Sequence, residues 1–179
     1  MHKRTWVLLF AVLALIGSLL ACGESSPANT GTSVNSSSSS GSTPTGAPAQ
    51  HFKVGQTVKV GDTWQITVDS AKTSTGSEFN KPQKSGDVFL VIIVTMKNLS
   101  SQEQTVSSLA QWTLQDSTGQ KYDGTIDTDA GASLDGKVEA GSLLKGSLAY
   151  EVPASMKSFT LAFEADLTAA GETIWDISV

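Results

Sequence analysis

The spacing of apolar residues changes twice along this chain. The run from Trp6 to Leu20 is apolar apart from one glycine and one serine. Residues 23–50 then hold a single aliphatic side chain larger than alanine. From residue 51 onward, short runs alternate apolar and polar positions, a period of two that is typical of half-buried β-strands. The pattern predicts an apolar leader, a polar connector and an all-β domain.

Several segments carry the strand signal in the last region. Trp64, Ile66 and Val68 fall on one face of a run that follows a Gly-Asp turn. The stretch 87–98, DVFLVIIVTMKN, is apolar on both faces and rich in β-branched residues, which indicates a central strand. Further runs occur in WTLQ, GSLLKGSLAYEVP, SFTLAFEAD and ETIWDISV. We predict an all-β fold over residues 51–179, an antiparallel β-sandwich of about seven to nine strands.

The apolar leader has the composition of an export signal. Lys3 and Arg4 precede an apolar run that is short for a membrane-spanning helix. The run ends in LLAC, which resembles the lipobox of bacterial lipoproteins. That resemblance implies cleavage of a signal peptide at 1–21 and attachment of a diacylglyceryl group to Cys22, which would hold the protein at the extracytoplasmic face of the cell membrane. An uncleaved membrane anchor is the alternative.

The connector follows directly. Residues 22–50 comprise the cysteine and a stretch dominated by Ser, Thr, Gly, Pro, Ala and Asn. Such a segment buries too little apolar surface to offset the entropy of ordering. We therefore predict a disordered linker with a reach of roughly 30 Å.

Motifs in the β domain resemble domain-of-unknown-function family 4352. They are FKVGQTVKVGDTWQITVDSAK, the strand that ends in VTMKNLS, WTLQDSTGQKY, and VEAGSLLKGSLAYEVP. The resemblance covers residues 52–179 and implies a bacterial surface lipoprotein with a telokin-like, immunoglobulin-like sandwich. Ala140 and Tyr150 depart from it, because proline and phenylalanine are common there. The family brings no catalytic residues to transfer.

The identity of three residues within these motifs has a physical explanation. Asn98 tolerates the left-handed backbone that a tight strand exit needs. Gly141 and Gly146 bracket a turn and a strand start where a Cβ would not fit. Because the chain has one cysteine, the sandwich is expected to fold without an internal disulfide.

Charge and motif content argue against several function classes. Without Lys3 and Arg4, 10 lysines oppose 17 acidic residues, a net charge of −7. An acidic, arginine-free domain does not suit nucleic-acid binding. Its one histidine, His51, lies at the edge of the linker, and no nucleophile, metalloprotease or nucleotide motif is present. We expect no enzymatic activity and no cofactor.

An acidic segment, 123–135, is the sharpest polar cluster. It contributes four carboxylates interleaved with glycines: Asp123, Asp127, Asp129 and Asp135. Oxygen-rich loops can bind calcium, although the remaining positions of an EF-hand are missing. A solvated acidic loop and a weak calcium site are both open.

The remaining expectations concern the tryptophans and the role of the whole protein. Trp64, Trp112 and Trp175 lie in alternating strands, which favours core packing over a carbohydrate-stacking platform. We expect a non-enzymatic binding module whose partners are the membrane, through Cys22, and an unidentified envelope protein or polymer. The alternative is a ligand- or cation-binding envelope sensor built on residues 123–135.

Overall fold

Thirteen β-strands form in the part of the chain that the computed structural model describes, residues 29–34, 50–127 and 129–179. The predicted signal peptide and Cys22 lie outside these residues. The strands are β1 Gly31–Ser33, β2 His51–Lys53, β3 Thr57–Val60, β4 Trp64–Ser74, β5 Asp87–Asn98, β6 Gln104–Val106, β7 Trp112–Asp116, β8 Lys121–Tyr122, β9 Gly124–Thr125, β10 Gly136–Val138, β11 Leu143–Pro153, β12 Ser158–Phe163 and β13 Thr173–Ser178. Within the described ranges, no helix has the length and apolar character needed to span a membrane.

Two sheets face each other across the core. One has the order β1-β3-β4-β5-β11-β9, the other β2-β13-β12-β7-β8, and β6 pairs with β10 beside them. All pairings between these strands are antiparallel except β2 with β13. The predicted immunoglobulin-like β-sandwich is confirmed. The strands beyond the expected seven to nine are two or three residues long, too short to show an alternating pattern.

The core explains why no disulfide is needed between the sheets. Strand β5 is central, as predicted, and most of its apolar side chains are buried, on both faces. Trp64, Trp112 and Trp175 are 1%, 5% and 0% exposed, so the expectation of core packing is confirmed. The Trp112 ring centroid lies 4.6 Å from that of Phe163 and 6.0 Å from that of Trp175. Aromatic packing of this kind joins the strands of the five-stranded sheet to the core.

A carboxylate closes the predicted hairpin between β7 and β8. Asp116 Oδ1 accepts hydrogen bonds from Thr118 N, Thr118 Oγ1 and Gln120 N, and Asp116 Oδ2 accepts one from Tyr122 Oη. These bonds, led by the Thr118 side chain, outweigh desolvation and lower the pKa of Asp116 to about 2. Gly119 supplies the positive φ of 91° that the turn requires.

Residues 29–34 differ from the predicted disordered linker over 22–50. Strand β1 pairs with β3 and forms one edge of the six-stranded sheet. Asn29 is fully buried, donating from Nδ2 to Asp166 O and Ala169 O at 3.0 and 3.1 Å and accepting from Asp166 N at 2.8 Å. Gly31 lies so close to Thr173, Val58 and Phe52 that a Cβ would approach all three within 2.8 Å. The side-chain amide of Asn29 and the close packing of Gly31 thus place residues 29–34 on the domain. The amino-acid composition of the linker does not reveal these contacts.

Candidate functional site

A cleft of about 830 Å³ opens at the edge of the six-stranded sheet, beside β9 and β11. Its walls include Ala149 and Tyr150 from β11, Ile126 and Asp127 after β9, and Leu109 from the segment before β7. The volume lies in the range that small-molecule sites occupy. The predicted acidic segment therefore lines a concave surface instead of projecting freely into water.

The second half of the acidic segment follows strand β11 closely. Leu134 N donates to Ser147 O at 3.1 Å, and Ser147 N donates to Ala132 O at 2.8 Å. Leu134 is fully buried and part of the core. A Cβ on Gly146 would lie 2.6 Å from Ser133 O, so only glycine permits this approach. The expectation that a Cβ does not fit is confirmed at Gly146 and wrong at Gly141, where a Cβ would meet no atom within 4 Å. Gly141 instead supplies a positive φ of 76°.

Asp127 forms the buried acidic part of the cleft wall. Its Oδ1 accepts hydrogen bonds from Asn80 Nδ2 at 2.7 Å and from Asp129 N at 3.0 Å. The residue is 6% exposed, and its Oδ2 has no hydrogen-bond partner among the described residues. Buried carboxylate oxygens are normally hydrogen-bonded, because desolvation without a donor is costly. Asp127 is therefore held in place through one oxygen and left unsatisfied at the other.

Asp135 lies at the end of the same acidic segment, and both of its carboxylate oxygens accept hydrogen bonds. Ser108 donates to it twice, from N to Oδ1 and from Oγ to Oδ2, each at 2.8 Å. Partial burial acts to raise the pKa of Asp135, but the hydrogen bonds from Ser108 and Ser133 outweigh it and hold that pKa below its usual range. This carboxylate fastens the acidic segment to the loop before β7.

Tyr150 contributes a second unsatisfied polar atom. The residue is 1% exposed, and its hydroxyl has no hydrogen-bond partner within the described residues. Burial raises the pKa of Tyr150, so the phenol stays neutral at physiological pH. Strand pairing with Gly124 and Leu90 fixes its backbone in the wall of the cleft.

The structure divides the four predicted carboxylates. Asp127, which is buried, and Asp135, which is exposed, both line the cleft. Asp123 and Asp129 are exposed and do not line it. In the described ranges, no three His, Cys, Asp or Glu side chains converge in a way that could hold a metal ion. Calcium binding stays a prediction.

Sequence reasoning missed several residues of the cleft. Asn80 and Ser108 fix the two carboxylates from positions 47 and 27 residues away, and no local pattern connects them. Tyr150 was marked in the sequence by one feature: it has a hydroxyl at a position where phenylalanine is common in the resembling family. His51 lies in the other sheet, where its Nδ1 is 2.7 Å from Asp176 Oδ1 in an exposed pair.

The fold and cleft define an all-β sandwich protein with an acidic site on the edge of one sheet. A family model described as "Domain of unknown function (DUF4352)" matches residues 52–174. The match covers more than half of the chain, and the protein belongs to this family. A search among curated proteins finds no match.

Solved structures share the fold at low sequence identity. The candidate lipoprotein ycdA of Bacillus subtilis subsp. subtilis str. 168 is 18% identical, with a TM-score of 0.55 over 65% of this chain. This chain spans 37% of ycdA. The yjhA protein of Bacillus subtilis is 20% identical, with a TM-score of 0.55 over 72% of this chain and 100% of that one. A β-sandwich protein of Clostridium difficile 630 is 16% identical, with a TM-score of 0.49 over 75% of this chain and 99% of that one.

Proposed function

We propose that this protein is a lipid-anchored, extracytoplasmic binding protein without catalytic activity, and that the edge cleft is its binding surface. The cleft carries the proposal, because it combines a small-molecule volume with buried unsatisfied oxygens and an apolar rim. Ile126 and Leu109 at this rim are 84% and 75% exposed. Large apolar side chains beside a concave polar site are typical of surfaces that bind a partner or ligand.

The anchor is supported by the lipobox-like sequence and by the description of one structural relative as a candidate lipoprotein. Asn29 is the first described residue that contacts the domain, and a fully extended chain from Cys22 to Asn29 spans at most about 25 Å. Because residues 29–34, the packed segment, lie on the domain, the tether is shorter than the composition of residues 22–50 predicts. In this proposal, the domain stands close to the membrane.

The packed segment also favours one orientation of the domain. Thr30 accepts a hydrogen bond from Gly61 N, at the end of the sheet where Trp64 pairs with Asn98. Ala149, in the cleft, pairs with Val91. Val91 lies about 23 Å along β5 from Asn98, at about 3.3 Å per residue. Anchoring through Cys22 would thus place the Asn29 end toward the lipid and the cleft farther out.

Replacing Cys22 with alanine tests the anchor. We expect the Cys22→Ala protein to leave the membrane fraction or to accumulate unprocessed, because the thiol is the only group that can take the diacylglyceryl chain. Fractionation with protease added to intact cells measures both location and side, and Ser26→Ala is the matched control. A Cys22→Ala protein that stays in membranes at the processed size would contradict the lipid anchor.

Photo-cross-linking in intact envelopes tests the binding surface. A photoreactive residue at Ile126, on the cleft rim, is expected to give discrete adducts that the same residue at Leu143 does not give. Leu143 is a suitable control because it is 66% exposed and does not line the cleft. Mass spectrometry of the adducts identifies the partner. Equal adducts from both positions would argue against the cleft as the binding surface.

A further inference from the structure

We infer that the edge cleft binds a ligand that carries a protonated amine together with an apolar group. This inference rests on the proposed function and specifies the chemistry of the same site. It follows from the two unsatisfied oxygens, from the charge of the lining and from the side chains at the rim.

Asp127 Oδ2 requires a hydrogen-bond donor, whereas the Tyr150 hydroxyl can either accept or donate a hydrogen bond. Asp127 Oδ2 is an acceptor without a donor in the described part of the chain, and the Tyr150 hydroxyl oxygen can accept as well. An alkylammonium group has three N–H donors and no acceptor, and its bond to a carboxylate is charge-assisted. Because Asn80 and Asp129 already hold Oδ1, the carboxylate is positioned before a ligand arrives. Such preorganisation reduces the ordering cost of binding.

The charge of the lining favours a cation over an anion. Asp127 and Asp135 line the cleft, whereas no lysine or histidine is among its described lining residues. Apart from Lys3 and Arg4, the chain has a net charge of −7. A concave acidic surface on an acidic protein raises the local concentration of cationic ligands.

The size of the cleft and its apolar walls favour an organic cation over a metal ion. Calcium takes six to eight oxygen ligands. Both oxygens of Asp135 already accept hydrogen bonds from Ser108, and no group of three metal-ligating side chains forms in the described residues. A cleft of about 830 Å³ is also far larger than one ion needs. Leu109, Ile126 and Leu148 provide apolar contacts for the remainder of the ligand.

Access to the oxygens involves a small adjustment of the wall. Asp127 Oδ2 and the Tyr150 hydroxyl are both shielded from solvent. Ile126, which precedes Asp127, is 84% exposed, so its side chain does not hold this part of the wall against the core.

Titration of the full chain with phenethylamine, followed by NMR, tests the inference. We expect saturable shifts at the amides of Ser108, Thr125 and Asp135, and binding at least about tenfold tighter than that of the neutral analogue 2-phenylethanol, or 1.4 kcal/mol. Equal affinities for the two probes would overturn the need for an ammonium group. Displacement of phenethylamine by millimolar calcium, with shifts centred on Asp127, would overturn the organic ligand in favour of a metal ion.

Matched variants locate the contact. Asp127→Asn replaces one oxygen by an NH2 group and is expected to weaken phenethylamine binding at least tenfold, whereas Asp123→Asn, in the same segment but outside the cleft, should bind as the wild type. Tyr150→Phe removes a hydroxyl that has no hydrogen-bond partner among the described residues. This variant should therefore fold normally and bind phenethylamine several-fold more weakly. Wild-type affinity in both Asp127→Asn and Tyr150→Phe would overturn the inference.

Failure of this inference is distinguishable from failure of the proposed function. If phenethylamine does not bind but acetate or glucose gives saturable shifts at the same amides, the amine is wrong and the cleft remains the binding surface. If none of these probes shifts the cleft amides and cross-linking from Ile126 gives no adducts, both proposals fail.

Discussion

Replacing Gly146 with alanine is expected to lower the free energy of unfolding by about 3 kcal/mol and to deform the cleft. The new methyl group would lie 2.6 Å from Ser133 O, 2.7 Å from Leu134 Cα and 2.8 Å from Leu134 N. These are backbone atoms, so no side-chain rotation relieves the contact, and overpacking against a fixed backbone costs 1–3 kcal/mol or more. Urea denaturation of the purified protein measures the effect.

The backbone around Gly146 cannot shift freely, because it is tied to the loop that it contacts. Ser147 exchanges hydrogen bonds with Leu134 and Ala132, and the buried Leu134 side chain belongs to the core. Moving the loop away would break these bonds or withdraw Leu134. The Gly146→Ala variant should therefore lose the cleft shifts with phenethylamine along with stability.

Gly124→Ala is the matched control in the same cleft. Its new methyl group would approach only Leu109 Cδ2, at 3.0 Å, which is the end of an exposed and flexible side chain. We expect a change within about 0.5 kcal/mol, as at ordinary surface sites. If Gly146→Ala is as stable as Gly124→Ala, the close approach between the loop and β11 does not exist in solution.

The sequence could predict the sandwich because its long strands carry their own signal. The run that forms β5 is apolar on both faces, and the alternation around Trp64 marks a half-buried strand. The close contact at Gly146 could also be predicted, since a glycine within a strand often marks the close approach of another backbone. The loop at Ser133, which Gly146 contacts, could not be predicted, because that contact depends on the tertiary fold.

The cleft and the packed N-terminal segment could not be predicted for the same physical reason. Asn29 bonds to Asp166 across 137 positions, and Asn80 bonds to Asp127 across 47. Composition marks residues 23–50 as polar and flexible. A buried amide with three hydrogen bonds and the pairing of β1 with β3 nevertheless hold residues 29–34 on the domain. Such long-range pairs leave no periodic trace in a single sequence.

Asn98 illustrates a residue that the sequence marked for one reason and the structure uses for another. The sequence suggested a tight exit from β5. In the structure its side chain is fully buried and makes four hydrogen bonds. Nδ2 donates to Gln102 O at 2.7 Å and to Val138 O at 2.9 Å, while Oδ1 accepts from Ser100 N at 2.9 Å and from Ser100 Oγ at 2.7 Å. Gln102 precedes β6 and Val138 ends β10, so one amide joins the small β6–β10 sheet to the central strand.

Replacing Asn98 with alanine is therefore expected to lower the free energy of unfolding by about 3 kcal/mol, because it removes four hydrogen bonds and leaves the buried Val138 carbonyl without its donor. Urea denaturation measures the loss, and hydrogen exchange should show β6 and β10 losing protection before β5. Gln102→Ala is the matched control, since Gln102 contributes only backbone atoms to this network and its side chain is exposed. Equal stability of the two variants would show that the Asn98 amide does not hold the small sheet to the sandwich. A loss of protection spread evenly over β5, β6 and β10 would instead mean that Asn98 stabilises the whole domain as one cooperative unit.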